Sequence, residues 1–165
     1  MTVTTYKDVR LEDWVKGPFQ LCDTEASRRC KLAIERHFEA EWNSDIEATM
    51  ETIHPDEPWQ FIPGLGVEVR GFDNVRAYYE SRFDSWPGPA MDHFDRLSIT
   101  DTCAYFEGEL AIQPSGSFGG HAVGGKPIRV PAVIIVDTRD GKVLGETVHL
   151  DSAAVLSQIG DGANG

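Results

Sequence analysis

The residues best suited to moving protons lie near the C-terminal end of the chain, where Glu146-Thr147-Val148-His149-Leu150-Asp151 alternates like a strand. Successive strand side chains point to opposite faces, so Thr147, His149 and Asp151 share one face and Glu146, Val148 and Leu150 the other. A desolvated aspartate beside a histidine can serve as general acid or base, moving a proton next to a carbonyl or activating water. Asp151 has a competing use, because it directly precedes the last helical segment and Asp there caps the first turn. His37 and Glu41 stand one helical turn apart, which suits either a surface ion pair or one wall of a pocket. Glu107 and Glu109 share a strand face opposite Phe106, Gly108 and Leu110. A solvated outer face is the plain reading; turned inward, Glu107 and Asp151 would form a two-carboxylate site able to open an epoxide.

Trp59, Phe61, Tyr79, Phe83 and Phe106 are the aromatic stock from which an apolar pocket would be lined. Trp59, Phe61 and Tyr79, with His37 and Glu107, are the candidate substrate-binding residues, and Asp151 and His149 the candidate catalytic ones. The five histidines show no His-x-x-x-His spacing, and neither Cys-x-x-Cys nor a clustered Cys/His/carboxylate run occurs, so no metal site is expected. The Gly-rich run 115–125 has no Gly-Lys-Ser/Thr ending and reads as a mobile loop. There is no Gly-x-Ser-x-Gly elbow and no dinucleotide fingerprint, which sets aside hydrolase triads and nicotinamide chemistry.

These residues sit in a chain of 165 residues, about one domain, with 41% hydrophobic, 10% aromatic and 25% charged residues. Such a composition folds without staples. Asp plus Glu number 27 against 15 Lys plus Arg, a net charge of −12, and a field of that sign repels phosphate backbones and anionic headgroups, so neither nucleic acid nor membrane is an expected partner. Cys22, Cys30 and Cys103 read as reduced, mostly buried thiols. With no signal-peptide pattern and no window near membrane-spanning length, a cytoplasmic location is expected.

Several elements must position the candidates. Residues 1–23 show no clear period, yet Tyr6, Trp14 and Phe19 suggest an N-terminal extension that packs down, followed by one domain over 24–160 and a tail at 161–165. From Thr24, the recurrence of Ala26, Cys30, Ile34, Phe38 and Trp42 predicts a long helix. Ser44 to Glu47 reads as a capping box opening a second helix, which Pro55 and Pro58 end. Strands at 59–62 and 67–69 flank a Pro-Gly-Leu-Gly turn, and a third helix spans 73–85. Four strands follow at 94–100, 103–113, 128–136 and 143–150, the last two joined by Asp140-Gly141, the strongest hairpin signal in the chain. A short helix at 152–159 ends at Gly160.

Particular residues carry a resemblance as well. His54-Pro55-Asp56-Glu57-Pro58-Trp59, then Gly71-Phe72-Asp73-Asn74-Val75-Arg76-Ala77-Tyr78-Tyr79, and later Asp140-Gly141-Lys142-Val143, Glu146, Asp151 and Leu156-Ser157-Gln158-Ile159-Gly160 resemble the SnoaL-like (polyketide cyclase-like) branch of the NTF2-like superfamily. The resemblance covers roughly 25–160. It implies an α+β cone, a curved mixed or antiparallel sheet wrapped around long N-terminal helices with a short C-terminal helix, and one closed hydrophobic pocket. It further implies a homodimer and a cofactor-free acid/base enzyme acting on a small hydrophobic carbonyl or epoxide compound, as a cyclase, isomerase, dehydratase or epoxide hydrolase. Asp151 matches the acid/base aspartate of these cyclases, which implies that the 147/149/151 face lines the pocket. Pro114 departs from the pattern, standing where relatives often carry a histidine, and favours the alternative of a non-catalytic binding or dimerisation module.

Overall fold

The computed structural model describes residues 4–118 and 120–160, so the expected tail at 161–165 lies outside the described residues. In chain order the elements are β1 (Phe19–Leu21), α1 (Glu25–Trp42), α2 (Ile46–Thr52), β2 (Trp59–Ile62), β3 (Val67–Arg70), α3 (Phe72–Ser85), β4 (Phe94–Ile99), β5 (Cys103–Ile112), β6 (Ser117–Phe118), β7 (His121–Ala122), β8 (Ile128–Arg139), β9 (Lys142–Leu150) and α4 (Ser152–Gly160). Seven strands form one curved mixed sheet in the order β1-β4-β5-β8-β9-β2-β3, antiparallel except at β1/β4 and β9/β2. The α+β class and helix order expected from the sequence are those observed.

The helix α1 starts where Thr24 caps it, the threonine side chain accepting from the Ser27 amide at 3.0 Å. Its buried stripe, Cys30, Ala33, Ile34, His37, Phe38 and Glu41, recurs at three and four residues and lies across β4, β5, β8 and β9; this is the spacing that turns one helix face to a core. The apolar part of that stripe meets Leu97, Phe106, Leu110 and Ile134 in the main core. Two polar side chains, His37 and Glu41, are carried inward with it.

Local details differ from expectation in instructive ways. The cap of α2 is Asp45, whose carboxylate accepts from the Ala48 amide at 3.0 Å, while Ser44 takes a positive φ of 55° in the turn; the cap lies one residue later than expected, and with Ala48 at the third helical position the reciprocal half of a capping box is missing. The stretch before α1 is not merely packed down: β1 joins the sheet edge beside β4, and Val9 and Leu11 donate backbone hydrogen bonds to Glu39 and Glu35 of α1. Within the Gly-rich run, β6 and β7 make a small hairpin, fastened by the Ser85 hydroxyl donating to the Ser117 carbonyl at 2.9 Å. Asp140 and Gly141 both adopt positive φ, 51° and 75°, as a primed turn between twisted strands requires. Of the thiols, Cys30 is buried, Cys103 half-buried and Cys22 exposed; the expectation of mostly buried cysteines fails because Cys22 lies in the exposed connection between β1 and α1. Among the described residues no helix is long and apolar enough to cross a membrane.

Candidate functional site

The inner face of the sheet and the buried sides of α1 and α3 enclose a cavity of about 50 Å³. Most of its wall is apolar, with Phe38, Trp42, Met91, Phe94, Leu110, Phe118, Ile134 and Val148 among the lining residues. Six polar side chains interrupt that wall: Glu41 from α1, Gln60 from β2, Tyr78, Tyr79 and Arg82 from α3, and Glu146 from β9. His37 stands directly behind them, fully buried.

Each polar residue arrives by simple periodicity. His37 and Glu41 are one turn apart on the α1 stripe; Val75, Tyr79 and Arg82 make the buried stripe of α3. On β2 the inward residues are Gln60 and Ile62, and on β9 Glu146 and Val148 face the cavity. The parallel pairing of β2 with β9 sets Gln60 directly beside Glu146.

A hydrogen-bond chain orders the cluster. The Thr52 hydroxyl donates to the Thr49 carbonyl at 2.6 Å, so its lone pair receives the Nδ1 proton of His37 at 2.7 Å. That leaves His37 Nε2 facing Tyr79 Oη at 3.1 Å, Glu41 Oε2 at 3.1 Å and Glu146 Oε1 at 3.5 Å. The Gln60 amide nitrogen donates both to Tyr79 Oη at 2.6 Å and to Glu146 Oε2 at 3.2 Å. Arg82 Nη2 reaches Glu41 Oε1 at 2.7 Å and the Gly88 carbonyl at 2.9 Å, and its guanidinium lies 4.0 Å from the centre of the Trp86 ring. Within the cluster, the buried Arg82 Nη1 has no hydrogen-bond partner.

Burial and charge compete throughout. For His37, burial opposes the charged form, but hydrogen bonding to Glu146 and Glu41 and their negative fields outweigh it and push the pKa up to about 9. For Glu41, burial acts upward while the Arg82 guanidinium and His37 act downward more strongly, leaving its carboxyl below the ordinary carboxylate value. Burial first, then the fields of Glu146 and Glu41, raise Tyr79 well above an ordinary phenol, so its hydroxyl stays protonated.

The expected site residues divide between two places. His37 and Tyr79 are in the cluster. Asp151, His149 and Glu107 do come together, but in an open groove that also includes Asp95 and Pro131, away from the cavity. His149 and Glu107 flank Val133 from the two neighbouring strands, all on the outward face. The expectation that the 147/149/151 face lines the pocket is therefore corrected: the 146/148 face does. Asp151 is exposed and caps α4, accepting from the Ala154 amide at 3.0 Å. Glu107 stays with solvent, 3.6 Å from Arg96, because Phe106, Gly108 and Leu110 take the inner face of β5. Trp59 and Phe61 likewise point away from the cavity, stacked on each other with centroids 6.0 Å apart, since Gln60 and Ile62 take the inner positions of β2. Phe83 lies against Tyr79, and Phe106 is core.

Sequence reasoning missed Glu146, Gln60 and Arg82. A signal existed for each: Glu146 shares its strand face with two apolar residues, Gln60 alternates with Ile62, and Arg82 falls three residues after Tyr79. The same folding brings His37, Glu41 and Glu146 within reach of a common point, with one ligand-capable atom of each inside a 4.8 Å span, a convergence that linear spacing does not display.

Solved structures share this fold. A protein of Jannaschia Sp. CCS1, provisionally named a SnoaL-like polyketide cyclase, is 19% identical with a TM-score of 0.66, over 82% of this chain and 94% of its own. An LEH-like epoxide hydrolase of M. tuberculosis is 14% identical with a TM-score of 0.61, over 84% and 92%. An NTF2-like protein of Burkholderia xenovorans LB400 is 14% identical with a TM-score of 0.61, over 83% and 98%. At these identities the likeness is one of fold. Among curated proteins none matches the sequence. The sequence profile of the SnoaL-like domain matches residues 34–145, well over half of the chain, which therefore belongs to the SnoaL-like family.

Proposed function

We propose that the chain is an acid/base enzyme acting on a small, largely apolar carbonyl or epoxide compound, with Glu146 as base and Tyr79 as hydrogen-bond donor. One observation carries this reading: a single amide, that of Gln60, holds both Tyr79 Oη (2.6 Å) and Glu146 Oε2 (3.2 Å) at the wall of an otherwise apolar cavity. A donor and a carboxylate so placed address neighbouring atoms of one small molecule. Glu146 takes a proton from the carbon next to a carbonyl while Tyr79 hydrogen-bonds the oxygen on which charge develops. Return of that proton to a different carbon is an isomerisation, and attack of the resulting enolate on a second carbonyl closes a ring. With an epoxide, the carboxylate instead activates water and the hydroxyl polarises the ring oxygen. Glu41 and Arg82 complete the polar wall, the unpartnered Nη1 of Arg82 offering a donor to the occupant.

The test is turnover of a panel of cyclic ketones, enones and epoxides by the wild-type chain and by Glu146→Gln. The reading expects turnover of at least one class and a fall of about 10²–10⁴-fold in the variant. A second reading, a binding module, is favoured by the small size of the cavity, about 50 Å³ against roughly 300–1,000 Å³ for pockets that take drug-sized ligands. Tight binding of panel members without conversion by either protein selects that reading.

A further inference from the structure

We propose that His37 Nε2, Glu41 Oε2 and Glu146 Oε1 form a binding site for one divalent transition-metal cation of the zinc type, open on its fourth side to the cavity. The three atoms lie within 4.8 Å of one another, with His37 Nε2 at 3.1 Å and 3.5 Å from the two carboxylate oxygens. Metal–ligand bonds of about 2.0–2.2 Å in a tetrahedral site put ligand atoms roughly 3.4 Å apart, so small side-chain adjustments bring all three to one ion.

The atoms around the ligands support the assignment independently. Each ligand residue has its other polar atom held from outside the triad: His37 Nδ1 by Thr52, Glu41 Oε1 by Arg82, Glu146 Oε2 by Gln60. This outer ring of partners fixes the histidine tautomer and the carboxylate orientations of metal centres. The Thr52 hydroxyl is itself committed to the Thr49 carbonyl, so the histidine has to present Nε2 inward. Glu41 is 6% exposed, and its Oε2, the atom turned to the triad, lies 3.1 Å from His37 Nε2; with the imidazole proton on Nδ1 that contact has no donor, and a cation bound between the two atoms satisfies both. With a neutral imidazole, two buried carboxylates face one guanidinium, a net charge of −1 that attracts a cation; a dication leaves +1, while a proton on His37 leaves zero and competes with it.

The inference does not rest on the acid/base reading. Binding is detectable without any substrate, and a cation that ligates Glu146 withdraws it from proton transfer and so suppresses any turnover. The experiment uses the full chain freed of metal with a chelator, titrated with zinc chloride by calorimetry, with anomalous diffraction from zinc-soaked crystals. The expected result is one zinc per chain, an anomalous peak bonded to all three side chains, and at least tenfold weaker binding in both Glu146→Gln and Thr52→Val. The second variant leaves every ligand in place, which covers the case in which Glu146→Gln does not fold. Cobalt in place of zinc is expected to give visible bands without a thiolate charge-transfer band. No anomalous peak among the three residues, zinc held only at surface histidines or thiols, or unchanged affinity in Thr52→Val each overturns the proposal.

Discussion

Asp151 and Glu146 are five residues apart on the same stretch of chain, and the fold gives them opposite duties. Asp151 holds the first turn of α4 from the solvent side, whereas Glu146 is 8% exposed and looks into the cavity. Asp151→Ala is expected to lower stability by about 1 kcal/mol, the usual worth of a side-chain cap, and to leave turnover unchanged; chemical denaturation and the substrate panel measure the two effects separately. Arg82 is the most exacting residue of the site. Replacing it with Met strands Glu41 in the interior, which costs about 3–5 kcal/mol when a buried pair loses one partner, read as a fall in the urea midpoint. At this scale the sequence was half legible. Strand alternation correctly separated 146/148/150 from 147/149/151, and the two apolar members of the first set pointed to the inside. The family's acid/base aspartate aligns with Asp151, which points to the opposite face, and a residue's place at a strand end does not reveal whether it serves a helix cap or a pocket.

At the scale of elements, the N-terminal stretch is fastened to α1 by charge as well as by backbone. Glu12 lies 2.8 Å from Lys31, which also pairs with Glu35. Burial acts upward on the Glu12 carboxyl, but the Lys31 and Arg10 side chains and its own backbone amide outweigh it and lower the pKa from 4.5 to about 2. A carboxylate lowered on folding adds stability that is fully present above its unfolded value and is lost as pH falls through its folded value. The stability advantage of the wild type over Glu12→Gln is therefore expected to be constant above about pH 5 and to shrink between pH 4.5 and 2, in urea titrations at fixed pH values. Partial exposure of the pair keeps the size of the effect modest. Most elements were readable beforehand, since α1, α3, β5 and β8 carry strong periods of their own. The short strand β1 was not, because three residues are too few to display a period and gain strand character only from pairing with β4.

For the molecule as a whole, the cone works by holding a small polar cluster inside an apolar shell, with the Trp86 and Phe118 rings, 6.1 Å apart, at the cavity wall. Both rings also line a neighbouring depression with Tyr78, Ser81 and Ser85, so they stand between the cavity and the outside. Phe118 belongs to the small hairpin of the Gly-rich run. The fold class and the family were legible from element order and motifs. The meeting of His37, Glu41, Arg82 and Glu146 was not, because four residues from three distant segments become neighbours only once β2 and β9 pair in parallel and α1 and α3 close over them. The most direct test of the central claim is a crystal structure of the chain with a bound cyclic enone. The account predicts the carbonyl oxygen within about 3.2 Å of Tyr79 Oη, with the adjacent C–H turned to Glu146. A ligand seated instead in the outer groove of His149 and Asp151, with the cavity unchanged, contradicts it.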